Sequence, residues 1–178
     1  LLFAQVDKKK LFTNHNSPLL ENNITSIATD NKGLNWIGTL KGLVCYDGQK
    51  WLTLNTKNSK LPSDKILCIE IVNNIKYIGT TGGLLIIRND NWEIYTTINS
   101  GLPSNKIRKI KSKNNIIWIA TSAGLVRYKK TFEVMLSKIK NSIVDDDFIS
   151  LSVDNNEIIW LGTNNGLYSY KEDIWKVF

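Results

Sequence analysis

Only one of the 178 residues is a histidine, His15. A single imidazole excludes HExxH zinc sites and His-rich metal clusters, and any histidine-assisted nucleophile would depend on this one N-terminal residue. Cys45 and Cys68 lie in apolar runs, LVCY and ILCIEI, without CxxC spacing, and read as small core hydrophobes. The one acidic cluster is Asp145-Asp146-Asp147, which lacks the D-x-D-x-D-G order of a calcium loop. Acid–base catalysis needs two acids converging on one site, and no second cluster is present. No catalytic residue, metal or cofactor is therefore expected, and the chain is read as a non-enzyme. What remains is cationic: Lys106-Ile107-Arg108-Lys109-Ile110-Lys111 concentrates positive charge on one short stretch.

The elements that position these residues announce themselves by repetition. NWIGTLKGLVCY (35–46), KYIGTTGGLLII (76–87), IWIATSAGLVRY (117–128) and IWLGTNNGLYSY (159–170) align directly. Their anchor aromatics Trp36, Tyr77, Trp118 and Trp160 stand 41, 41 and 42 residues apart. Each is followed by a small residue (Gly38, Gly79, Ala120, Gly162), a threonine (Thr39, Thr80, Thr121, Thr163) and a Gly-Leu pair. Trp51, Trp92, Phe132 and Trp175 fill a second aromatic position, and the units are joined by loops such as KNSKLPSDKI and INSGLPSNKI. All six tryptophans fall on these two positions, so they are expected in the core.

Each unit reads as four short strands and tight turns. The third residue of each hairpin loop is glycine, the residue suited to positive φ. No segment sustains a 3.6-residue apolar period, so helix is expected to be nearly absent. Four strands per unit of about 41 residues is the measure of a β-propeller blade. The fold class is accordingly all-β: a β-propeller with four consecutive four-stranded blades, at about 23–55, 65–97, 106–137 and 148–178. Leu11-Phe12-Thr13 precedes an Asn-Ser loop like the others, so residues 10–14 are read as a spare outer strand. Four blades plus a spare strand do not close a ring, and residues 6–178 are expected to form an open arc of a larger one. The leading LLFAQ, residues 1–5, reads as the remnant of a signal peptide.

The pattern I-x-x-I-x-x-D-x-x-x-x-x-W-I-G-T-x-x-G-L-x-x-Y, followed by W-x-x-x-T-x-x-N-S-x-L-P-S, resembles the two-component regulator propeller repeat over residues 11 to 178. That family builds the periplasmic sensor regions of bacterial hybrid histidine kinases. The resemblance implies a periplasmic ligand-binding sensor module, recognising a glycan or its breakdown product. It implies as partners the remaining blades and a membrane-anchored signalling module. A secreted propeller for binding or scaffolding is the alternative, with a propeller lyase or hydrolase behind it. A homodimer is left open.

The 23 Lys and Arg exceed the 16 Asp and Glu by seven, yet most cations are scattered among Asn, Ile and Thr, which speaks against nucleic acid as a partner. Residues that recur in every unit serve the fold, whereas a ligand should meet residues that break the repetition. Arg108, Lys109 and Lys111 do so, standing where other units carry Thr, Ser, Leu or Cys, and are the expected ligand-binding residues. The competing reading pairs this charge with Glu70, at the position equivalent to Lys111.

Overall fold

The computed structural model describes residues 11–137, 147–172 and 174–178. Residues 1–5, read as a signal-peptide remnant, residue 10 of the expected spare strand, Asp145 and Asp146 lie outside them. The described residues contain sixteen strands and no helix. They form four antiparallel four-stranded sheets in simple chain order. The first comprises β1 (Ile24–Thr29), β2 (Asn35–Thr39), β3 (Gly42–Tyr46) and β4 (Trp51–Leu54). The second comprises β5 (Ile66–Val72), β6 (Ile75–Thr80), β7 (Leu84–Arg88) and β8 (Asn91–Tyr95). The third comprises β9 (Ile107–Lys113), β10 (Ile116–Thr121), β11 (Gly124–Tyr128) and β12 (Phe132–Ser137). The fourth comprises β13 (Phe148–Val153), β14 (Ile159–Thr163), β15 (Leu167–Lys171) and β16 (Ile174–Val177).

The recurring residues have local reasons. In each β2-type strand the threonine hydroxyl donates to the hairpin glycine carbonyl, as Thr39 Oγ1 to Gly42 O at 2.9 Å and Thr80 Oγ1 to Gly83 O at 2.8 Å. The same oxygen accepts the N–H two residues on, Lys41 N at 3.1 Å and Gly82 N at 3.0 Å, so one side chain closes the turn. Gly42, Gly83 and Gly166 adopt φ of 139°, 143° and 153°, where a side chain is strained. Gly124 is not among the positive-φ glycines, so the expectation of positive φ at the hairpin glycine holds at three of the four turns.

Consecutive sheets pack face to face, and three core clusters fill the seams. Apolar residues of one sheet's middle strands meet the inner strand of the next: Leu43 and Cys45 share a cluster with Ile66, Ile78 and Ile87. The small residue before each threonine permits this approach. A Cβ on Gly79 would stand 2.5 Å from Cys68 Sγ and 2.7 Å from Ile107 Cγ2, both in the buried seam. Gly79→Ala is therefore expected to lower stability by about 1–3 kcal/mol through overpacking. The urea midpoint measures it, and an unchanged midpoint would contradict the close approach.

The connecting loops also repeat in geometry. Asn16, Asn58 and Asn99 each accept an N–H three residues back, from Thr13, Asn55 and Thr96. Residues 11–14 carry no strand, yet Phe12 packs on Tyr46 and Trp51 at 5.4 and 5.1 Å, as Tyr95 of β8 packs on Phe132 at 4.9 Å. Trp36 and Trp118 are buried, but Trp160 is only half-buried. No described sheet covers its face of the fourth sheet, where Phe178 lies 5.8 Å from it and is 66% exposed.

Candidate functional site

The inner strands β1, β5, β9 and β13 align through their pairing with the anchor strands. Ser26, Cys68, Lys109 and Ser150 are equivalent, each opposite the small residue. Ala28, Glu70, Lys111 and Ser152 are equivalent, each opposite the anchor aromatic. Two residues further lie Asp30, Val72, Lys113 and Asp154. Because side chains alternate along a strand, these three positions share the face directed at the following sheet.

In the first two seams these positions stitch one sheet to the next. Ser26 Oγ accepts the N–H of Ile69 at 3.0 Å, and Asp30 pairs with Lys76 at 3.3 Å. Cys68 Sγ lies 3.9 Å from Ile107 O. Glu70 Oε1 accepts both the N–H and the hydroxyl of Ser112, at 3.0 and 2.6 Å. Glu70 therefore does not pair with Lys111. The two occupy equivalent positions on successive sheets, and each is directed forward, Glu70 onto the third sheet and Lys111 toward the fourth.

The seam between the third and fourth sheets is different. Arg108 sits at a shift in the β9–β10 register and grips Asp147 through both its Nε, at 3.0 Å from Oδ1, and its Nη2. One residue of the basic strand and one of the acidic loop, both breaks in the repeat, thus meet as an ion pair. Lys109 is half-buried and Lys111 exposed, and neither forms an ion pair with a described residue. Lys113, on the same face, reaches only the Asn155 amide oxygen at 3.4 Å. Three lysines in alternation thus run along β9 where the preceding seams are stitched.

At the Lys113 end the seam opens into a cleft of about 210 Å³. Trp118, Ile159 and Tyr170 form its apolar floor, and Lys113, Arg127 and Glu157 stand around it. Arg127 donates to Glu133 from Nε at 3.1 Å, and Asn114 Nδ2 donates to Glu157. Sequence reasoning missed Lys113 and Arg127. The signal was present, since Arg127 stands where the other units carry Cys45, Ile86 and Ser169, but only pairing across the sheet shows that both reach one cleft.

The remaining chemistry-bearing residues are placed elsewhere. Cys45 and Cys68 are free and buried, and burial pushes both thiols up to about 12, which leaves them unreactive. His15 is exposed in an N-terminal loop. Among the described residues no group of three or more His, Cys, Asp or Glu could hold a metal, and no helix is long and apolar enough to cross a membrane.

The chain is similar in structure to the extracellular domain of a B. thetaiotaomicron protein described as a hybrid two component system. Identity is 30% and the TM-score 0.81, covering 93% of this chain and 24% of that one. A second extracellular domain so described, from the same organism, shares 24% identity at a TM-score of 0.74, covering 88% of this chain and 22% of that one. Virginiamycin B lyase from Staphylococcus aureus is similar at 15% identity and a TM-score of 0.66, covering 87% of this chain and 55% of that one, which bears on fold alone. This chain spans about a quarter of each extracellular domain. No family model matches it, and no curated protein does. The four stacked antiparallel sheets are consistent with blades of a β-propeller, and the lyase is a larger propeller.

Proposed function

We propose that this chain is part of a periplasmic ligand-sensing propeller of a two-component receptor, and that it recognises rather than transforms its ligand. The likeness, at 30% identity, to an extracellular domain described as part of a hybrid two component system supports the setting, and the repeat-breaking cations support the chemistry. The observation that carries the reading is the third seam, where Lys109 and Lys111 pair with no described acid while Ser26 and Glu70 at equivalent positions bond the following sheet. The ligand is an acidic oligosaccharide or its breakdown product. Lys109 and Lys111 meet its carboxylate or sulfate groups, and Arg108 holds Asp147 beside them and positions that end of the seam. The blades completing the ring and a membrane-anchored output module are the partners.

A confined cationic site concentrates anions, and its effect weakens as salt shortens the Debye length to about 8 Å at physiological ionic strength. Calorimetric titration with matched neutral and acidic oligosaccharides should therefore show preference for the acidic member, declining with salt. Lys109→Gln/Lys111→Gln should weaken binding at least tenfold, in line with about 1.5–3 kcal/mol for a hydrogen bond to a charged group. Equal affinity for both sugars, or no loss in a folded double variant, would sink the reading. Turnover of the sugar would instead favour a propeller lyase or hydrolase.

A further inference from the structure

A polar cluster buried in the first seam recurs, half-buried, in the fourth sheet without its cation among the described residues. In the first sheet Asp30 accepts the Trp36 indole N–H at 3.2 Å and the N–H groups of Lys32 and Leu34 at 2.9 and 3.1 Å. Lys76, contributed by the second sheet, completes it: its ammonium lies 3.3 Å from Asp30 and 5.4 Å from the centre of the Trp36 ring. In the fourth sheet Asp154 accepts the Trp160 indole N–H at 3.0 Å and the N–H groups of Asn156 and Ile158 at 2.8 and 2.9 Å. The acid, the indole and both backbone donors are reproduced. Among the described residues no cation completes it: Lys171, on the same sheet, acts on Asp154 only through its longer-range charge and forms its ion pair with Glu172.

The cation of the first cluster comes from the residue directly before the next sheet's anchor aromatic, Lys76 before Tyr77. The first sheet of a second copy would bring Asn35 to that place, so self-association does not supply the missing charge. The surroundings match an unfinished seam. Trp160 is half-buried, and Leu167 and Phe178 on that face are 39% and 66% exposed.

We propose that the exposed face of the fourth sheet is a docking surface for a further β-sheet that carries a lysine immediately before its own anchor aromatic. That ammonium seats over Trp160 and pairs with Asp154, as Lys76 does with Trp36 and Asp30. The attraction combines a carboxylate with the electron-rich face of an indole, a pairing selective for a cation over a neutral side chain. The partner is thus defined by charge as well as shape, and the surface discriminates among sheets of the same repeat.

Amine acetylation followed by mass spectrometry tests this on the protein in its natural full length. Lys76 is the internal standard, since it is 7% exposed and should react slowly. One lysine outside the 178 residues, directly preceding an aromatic, should be protected at least tenfold relative to surface lysines. Asp154→Asn should raise its rate toward the surface value while leaving Lys76 protected. Trp160→Phe, which keeps an aromatic ring but removes the indole donor, should give an intermediate rate and serves if Asp154→Asn does not fold. The proposal is overturned if no such lysine is protected, as a free amine in the socket would produce. Protection of a lysine from a second copy of these residues overturns it equally, as does protection that neither substitution changes.

Discussion

Lys76→Ala should be among the most damaging single changes in this chain, lowering the unfolding free energy by about 3–5 kcal/mol. Its side chain and that of Asp30 are only 8% and 3% exposed, so removing the ammonium leaves a carboxylate that water cannot reach. The Trp36 face loses its cover at the same time. Asp30→Asn/Lys76→Met removes both charges and should recover much of the loss, because a buried pair is costly to break and nearly neutral to replace. The same cluster predicts an acid limb. Burial raises the Asp30 carboxyl, but hydrogen bonds from Trp36, Lys32 and Leu34 together with Lys76 outweigh it and hold the group below its ordinary value. A folded-state value below the unfolded one adds stability above about pH 4 that is lost as pH falls through the folded-state value. Urea midpoints at pH 7 and pH 3 should therefore converge in Asp30→Asn relative to the unsubstituted protein. A parallel fall in both would place the acid sensitivity elsewhere.

Trp118→Ala should cost a comparable 3–5 kcal/mol, the range for truncating a buried aromatic and leaving a cavity. Trp118 is 6% exposed and shares its cluster with Phe148, Leu151 and Tyr170, the last meeting it edge-on at 6.1 Å. Trp160→Ala, at the equivalent position of the fourth sheet, should cost clearly less in this chain because one side of that ring is uncovered. Chemical denaturation of the two variants side by side separates the effect of residue type from that of burial. Equal losses would show that the fourth sheet's face is covered after all.

Much of the fold was legible because it is local and repeated. The alternation in ITSIAT and ILCIEIV, the threonine that closes each hairpin and the small residue before it recur at one spacing, so each copy supports the reading of the others. The candidate site was legible only in part. The rule that ligands meet exceptions to the repeat pointed to Arg108, Lys109 and Lys111, but it could not say which exceptions satisfy one another. Arg108 turned out to hold Asp147, while Glu70 turned to Ser112 instead of Lys111.

The sequence by itself determined the four strands of each unit, the hairpin positions and the positions that must be small, since these depend on contacts within a unit and on a pattern stated four times. The tertiary structure alone decided which charges are free. The two ion pairs that cross a seam among the described residues, Asp30 with Lys76 and Arg108 with Asp147, join residues about 40 positions apart. Whether such a pair forms depends on the face a strand presents and on a register shift within β9, neither of which residue type encodes. The same holds for burial: Trp118 and Trp160 occupy equivalent positions of their repeats, and only a following sheet makes one of them core.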